Sequence, residues 1–322
     1  MDWRSKLRYD PVPPIIKSRN APLKYIAIRD LSVDAPGTED PWELLETVRI
    51  MKTQKENGSW KYHGGQERIR SSEDYDQIET YRVLRVLVEK YGMNKNHPAF
   101  RKAAEFMFSH QTDEGDFRGI CGNQYVPYYS GAIMELLIKG GYSKDSRIER
   151  GFDWLNSVLQ DDGGWAFPLR TTGRRLDSQT FRSSPIQPDR SKPFSHLITG
   201  MILRAFAAHP SHSKSEEARI ASELLASRFF KADKYSDRRA PSFWTSFSYP
   251  FWFTDLLSSL DSLSLTGIDP NQGDVSRGIK WFISRQSKSG LWNLRTRIMA
   301  REKDASAWIT LAISRVFKRF YE

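Results

Sequence analysis

Three sets of ionisable side chains stand at comparable points in otherwise apolar segments. The first is Glu73-Asp74-Tyr75-Asp76-Gln77, the second His196 in Pro193-Phe194-Ser195-His196-Leu197, and the third Asp255 in Phe251-Trp252-Phe253-Thr254-Asp255-Leu256. A carboxylic acid held protonated by burial is a proton donor, and a neutral imidazole is a donor or base near physiological pH. Asp76, His196 and Asp255 are therefore the candidate catalytic groups. The same types also do structural work. Asp74 and Asp76 suit a helix N-terminus as caps. A carboxylate as deep in an apolar run as Asp255 needs an arginine or a helix N-terminus as partner, because unpaired burial is costly.

Composition narrows the chemistry. The chain has 322 residues with 13% aromatics, so most of it folds around a core. One cysteine, Cys121, excludes an internal disulfide and a cysteine-built zinc site. No magnesium-binding DDxxD, phosphate-binding P-loop, GxGxxG or HExxH stands in the sequence, so no metal and no cofactor is expected. The N-terminus lacks a signal-peptide core and no run is long enough to span a bilayer, which points to the cytoplasm. Forty-nine Lys and Arg against 39 Asp and Glu give a net charge of +10, which favours an anionic partner. Signatures of nucleic-acid binding are missing, and no nucleic acid is expected.

The elements that must position these groups come as a repeat. Gln54–Trp60 and Gln286–Trp292 read QxxxGxW. Gln111–Phe117 has Phe for Trp, Gln160–Trp165 is one residue short, and a degenerate copy ends at Trp244. A charged amphipathic stretch precedes each copy: Pro41–Thr53, Pro98–His110, Ser146–Leu159, Ser215–Ser227 and Asp274–Arg285. A far more apolar helix follows: Asp74–Tyr91, Tyr125–Gly140, Pro193–Ala208, Tyr249–Leu265 and Lys303–Phe320. The pattern predicts an all-α chain of five to six helical hairpins, amphipathic helices outside and apolar helices inside. The expected product is a double-layered ring over residues 41–322, with residues 1–40 as an N-terminal extension packing on it.

The QxxxGxW copies resemble the QW motif of terpenoid cyclases and protein prenyltransferases, the α/α-toroid superfamily. That resemblance implies a central cavity lined by the starts of the inner helices, with the loops after each motif around one mouth. Asp74-Tyr75-Asp76-Gln77 is similar to the cyclase DxDD acid motif with its last Asp replaced. His196 falls where a prenyltransferase places a zinc ligand, but Gln124-Tyr125-Val126-Pro127-Tyr128 lacks the Asp-x-Cys partner, so zinc is not implied. Tyr125, Tyr128, Trp252 and Trp308 could line an isoprenoid pocket and stabilise a carbocation. The loops after the motif carry +8 of the net charge, with Arg174 and Arg175 in the longest. The implied ligand is an isoprenoid or anionic lipid-like molecule, with peripheral membrane contact open. The alternative is a non-catalytic toroid that binds a lipid or an acidic protein.

Overall fold

Ten of the chain's helices pair as the repeat requires, an amphipathic one outside and an apolar one inside. The computed structural model describes residues 2–34, 40–64, 72–297 and 304–322, with the side chains of 72–74 excepted. In chain order the helices are α1 (Val12–Ile16), α2 (Ala21–Leu31), α3 (Leu45–Lys52), α4 (Ser72–Tyr91), α5 (Pro98–Phe108), α6 (Pro127–Leu137), α7 (Ser146–Ser157), α8 (Pro168–Thr171), α9 (Ser178–Arg182), α10 (His196–Ala208), α11 (Glu216–Ser227), α12 (Leu256–Thr266), α13 (Gly273–Arg285) and α14 (Ala305–Tyr321). Isolated β-bridges occur, but no strand, among the described residues. In α10 every residue from His196 to Ala207 is buried, whereas α7 buries Ile148, Gly151, Phe152, Trp154 and Leu155 along one stripe. The apolar helices are the inner layer.

The inner helices close on themselves. α4 packs on α6, α6 on α10, α10 on α12, and α12 on α14. The N-terminal α2 stands between α14 and α4 and touches both. The fold is an α/α toroid with six helices around its axis. The last turns of all six surround one cavity, so the inner helices run parallel and their N-termini share the opposite mouth.

The motif joins three of the units to the next segment, whereas Gln160 Nε2 donates to Asp189 O and Lys192 O of its own long loop. Gln54 Nε2 donates to Gly58 O of its own loop and to Ala99 O in the first turn of α5, at 2.9 and 2.8 Å. Gln111 does the same to Gly115 O and Arg147 O of α7. Gln286 reaches Gly290 O and Tyr9 O, which ties the last unit to the N-terminal segment. Each aromatic ends the loop inside its own hairpin: the indoles of Trp60, Trp165 and Trp292 donate to Ile50 O, Leu155 O and Phe282 O. Their backbone N–H groups find hydroxyls on the inner helices, at Thr80, Thr199 and Thr310. At Gly58, φ is +88° and a Cβ would sit 2.2 Å from Lys102 O, so both the turn and the close approach of α5 require glycine.

One inner helix departs from expectation. The segment expected to be helical from Tyr249 begins only at Leu256. Asp255 is its N-cap, in a capping box with Ser258, and that start signal prevails over Pro250. Residues 248–254 instead form a strap of extended and irregular backbone with a cis Tyr249–Pro250 bond.

Trp292 is fully buried. Trp292→Ala should destabilise the fold by about 3–5 kcal/mol in urea unfolding. Gly58→Ala should cost more than about 1 kcal/mol, since its conformation and its space both exclude a side chain.

Candidate functional site

The strap leaves α12 and crosses the ring to the opposite helix, α4. Arg85 of α4 donates Nη1 to Pro250 O at 2.6 Å, and Arg204 of α10 donates Nη2 to Trp252 O at 3.4 Å. Tyr249 stacks on Trp308 of α14 at 5.6 Å, and its hydroxyl donates to Glu89 O of α4 at 3.1 Å. Gly200 of α10 makes room, because a Cβ there would lie 2.4 Å from Thr254 Cγ2. The centre of the ring on the motif-loop side is thus filled by the protein itself.

Below the strap lies a buried ion network. Glu135 of α6 is 3.0 Å from Arg204 Nε and 2.7 Å from Lys139. The Arg204 contact is an ion pair without hydrogen-bond alignment, since that Nε has no hydrogen-bond partner. Lys139 also reaches Glu89 at 2.5 Å, and Arg315 of α14 lies 3.1 Å from Asp30 and 3.6 Å from Glu89. Burial alone would raise the Glu89 carboxyl, but Lys139 and Arg315 outweigh it and hold it well below the usual range. Arg319 pairs with Asp261 at the far mouth. That mouth opens into a cavity of about 730 Å³ lined by Asp30, Glu89, Lys139, Asp261, Arg315 and Arg319 and by Val88, Met93, Ala207, Ala208 and Leu265.

On the motif-loop side runs a row of aromatic rings, two of which, Trp252 and Phe253, belong to the strap. Phe167, Tyr128, Tyr129, Tyr81, Trp252 and Phe253 follow one another with centroids 4.8–6.1 Å apart. Arginines sit on its rings. Arg85 is 4.4 Å from the Trp252 centroid, Arg238 4.3 Å from Phe253, and Arg238 and Arg297 share Phe243 at 4.2 and 4.3 Å. Burial and then the neighbouring Arg297 lower Arg238 to about 10, and its Nε has no partner.

The expected site residues fall in different places. Tyr128 and Trp252 belong to the row. Asp255 lies beneath it, 2% exposed, accepting from Ser258 N at 2.8 Å. Burial pushes its carboxyl up to about 7, against hydrogen bonds from Ser258 and the Arg204 charge. Asp76 accepts from Lys55 Nζ at 2.6 Å and from Tyr62 N at 3.2 Å, so its carboxylate anchors the first motif loop. The side chain of Asp74 lies outside the described residues. His196 stacks on Trp244 at 4.6 Å, with Nδ1 3.5 Å from Asp233. Asp233 Oδ2 is already engaged by Ser195 Oγ and Leu197 N, capping α10. Burial lowers His196 to about 4, and Asp233 offsets this only in part. Tyr125 packs on Trp154 of the outer layer and donates to Glu114 at 2.5 Å. Trp308 faces Tyr249 and Lys90. Asp76, His196 and Asp255 thus each have their own partners: Lys55 and Tyr62 N, Trp244 and Asp233, and Ser258.

The charged loops are less open than their total suggests. Arg118, Arg170, Arg190 and Lys192 are in ion pairs with Asp116, Asp237, Asp161 and Asp189. Arg174 and Arg175 are exposed. Arg68, Arg70, Arg301 and Lys303 lie outside the described residues. One group has the makings of a metal site, Glu149 with His209 and His212. His209 Nδ1 accepts from Ser211 N and His212 N, so its Nε2 carries the proton and donates to Ser143 O at 2.8 Å. It has no lone pair free for a metal.

The squalene-hopene cyclase C-terminal domain family matches residues 73–179, about a third of the chain. Over that stretch the chain is similar to this family. Similar solved structures include the type II terpene cyclase MstE from Scytonema in complex with geranylgeranyl dihydroxybenzoate, at 13% identity over 92% of this chain and 86% of that one, TM-score 0.46. Others are a protein from Actinoplanes, at 15% identity over 94% and 90%, TM-score 0.43, and an α-amylase from Clostridium perfringens, at 14% over 86% and 80%, TM-score 0.43. No curated protein matches the sequence. Among the described residues no helix is long and apolar enough to cross a membrane.

The burial of Asp255 sets a pH test. Its folded pKa, about 7, lies above its ordinary value of 3.8, so its contribution to stability is full below about pH 4 and is lost as pH rises to about 7. Asparagine caps as well but does not ionise. The stability of Asp255→Asn relative to the parent should therefore climb from about pH 4 to about pH 7 and then level off, as read from urea midpoints.

Proposed function

We propose that this protein is a cyclase-like toroid that binds an anionic isoprenoid or similar lipid-like molecule across its motif-loop mouth. The row of rings from Phe167 to Phe253, ending in Arg238 and Arg297, carries the reading. Aromatic faces suit an unsaturated chain, and stacked guanidiniums keep edge N–H groups for a phosphate or carboxylate. The six inner-helix N-termini at the same mouth add positive potential. Geranylgeranyl dihydroxybenzoate, the ligand named for MstE, is an acid with an isoprenoid chain of this kind. The test is binding of farnesyl diphosphate, farnesol and anionic liposomes. Arg238→Gln with Arg297→Gln should weaken the diphosphate by about tenfold or more, the worth of a hydrogen bond to a charged group, and leave farnesol unchanged. Binding of the diphosphate should fall with salt. Equal affinity for the diphosphate and the alcohol would count against the headgroup assignment. Arg174→Glu with Arg175→Glu tests the exposed loop through liposome binding alone.

A second reading, catalysis, is favoured by Asp255 rather than by Asp76. Asp255 lies beneath the row and is part-protonated at neutral pH. Turnover of linear isoprenoids by the parent, lost in Asp255→Asn while Asp76→Asn retains it, would support a proton donor there. No turnover by the parent leaves the non-catalytic toroid.

A further inference from the structure

The guanidiniums of Arg85 and Arg204 are held under the strap with donors unused. Arg85 is 6% exposed and Arg204 3%. Arg85 Nε, Arg204 Nε and Arg204 Nη1 have no hydrogen-bond partner. Buried unsatisfied donors on charged groups are costly and uncommon. Arg85 has no carboxylate within ion-pair distance among the described residues; it meets Pro250 O and the Trp252 ring, with Tyr81, Glu135 and Glu89 acting on it from further off. Glu135 is shared between Arg204 and Lys139, so it neutralises neither fully. The two arginines act on each other electrostatically, and burial together with that neighbour lowers Arg85. Between them stand the Tyr81 hydroxyl, which faces both, and two neutral backbone carbonyls, Pro250 O and Trp252 O.

A neutral carbonyl is a weak partner for a buried guanidinium, and an oxyanion is the strong one. We propose that Arg85 and Arg204 form an inner site for a phosphate-type oxyanion, and that residues 248–254 occupy it in the free protein with their own carbonyls. The strap is then a built-in competitor. An anion that reaches the arginines satisfies the idle donors and releases Pro250 O and Trp252 O to the mouth. The strap is held by the two arginines, by Tyr249 against Trp308 and through its hydroxyl on Glu89 O and Arg315, by the Trp252 ring against Tyr81 and Arg82, and by Thr254 Oγ1 on Leu197 O at 2.6 Å. This site is separate from Arg238 and Arg297 and does not rest on the reading above.

The probe is inorganic diphosphate at low salt, followed by hydrogen exchange of peptides covering 248–254. Exchange there should speed up on binding. Arg204→Lys, which keeps the charge but loses the fork, should abolish that change, whereas Arg238→Gln with Arg297→Gln should retain it. Trp252→Ala loosens the competitor and should bind diphosphate severalfold more tightly. If diphosphate binds while exchange over 248–254 is unchanged or slowed, the inner site is refuted and the mouth reading stands. Weaker binding by Trp252→Ala has the same meaning. If inorganic diphosphate does not bind at all, the inner site falls, and farnesyl diphosphate still tests the mouth.

Discussion

The side-chain amide of a motif glutamine holds two units in register at once. Its two N–H groups go to its own loop and to the first turn of the next outer helix at Gln54 and Gln111, and to its own loop and Tyr9 O of the N-terminal segment at Gln286. These three hairpins are thereby fixed in both position and direction against their neighbours. A chain of such links has one handedness and one rise per unit, and it becomes a ring when the last link finds the first segment. Gln286 does this through Tyr9, with its Oε1 also accepting from Arg8 N and Tyr9 N. The N-terminal residues are then part of the closure, and α2 takes the sixth inner place between α14 and α4.

Register has an electrostatic consequence. Six parallel inner helices put their N-termini at one mouth and their C-termini at the other, and each end carries about half an elementary charge. The C-terminal mouth is where Arg29, Lys139, Arg315, Lys318 and Arg319 collect, interleaved with Asp30, Glu89, Asp261 and Glu322. Cations near helix C-termini are in their favoured place, and four carboxylates together with the helix C-termini offset the five of them. The cavity there asks for no counter-ion. The N-terminal mouth has the opposite character, with Arg238 and Arg297 close together beside helix N-termini. An anion is favoured at that end and not at the cavity.

The double layer was legible because it depends on patterns that one sequence displays: helical spacing of Phe152, Leu155 and Leu159, a recurring glycine turn, and apolar runs such as Leu197–Ala208. The start of α12 was legible too, in Asp255 and Ser258, but was masked by the aromatic run before it and by Pro250. The roles of Asp76 and His196 were not. Asp76 stands where the cyclase motif would place an acid, yet Lys55 lies within reach across the motif turn, a contact that only the folded loop creates. The ion network was signalled and missed. Glu135 in Ile133-Met134-Glu135-Leu136-Leu137 and Arg204 in Ile202-Leu203-Arg204-Ala205-Phe206 are charges in apolar helices, as Asp255 is. The rule that a buried charge needs a partner applied to them equally and would have paired them across the axis.

A ring of six helices cannot close its own axis. Two packed helices sit about 8–10 Å apart, so six around a circle leave a channel wider than their side chains fill. Close packing does not tolerate that void, and something must occupy it. In this protein Tyr249, Pro250 and Trp252 enter from one end, and paired charges fill the middle. Replacing such ion pairs by apolar side chains of similar volume often costs nothing in stability, so stability alone does not account for charges at this position. A polar axis differs from an apolar one in what can replace its filling. Carbonyls that hydrogen-bond an arginine can be exchanged for another oxygen acceptor, whereas interlocked leucines have no substitute in solution. The polar axis and the strap above it therefore belong to one arrangement, in which the segment that completes the core is also the segment a ligand would displace.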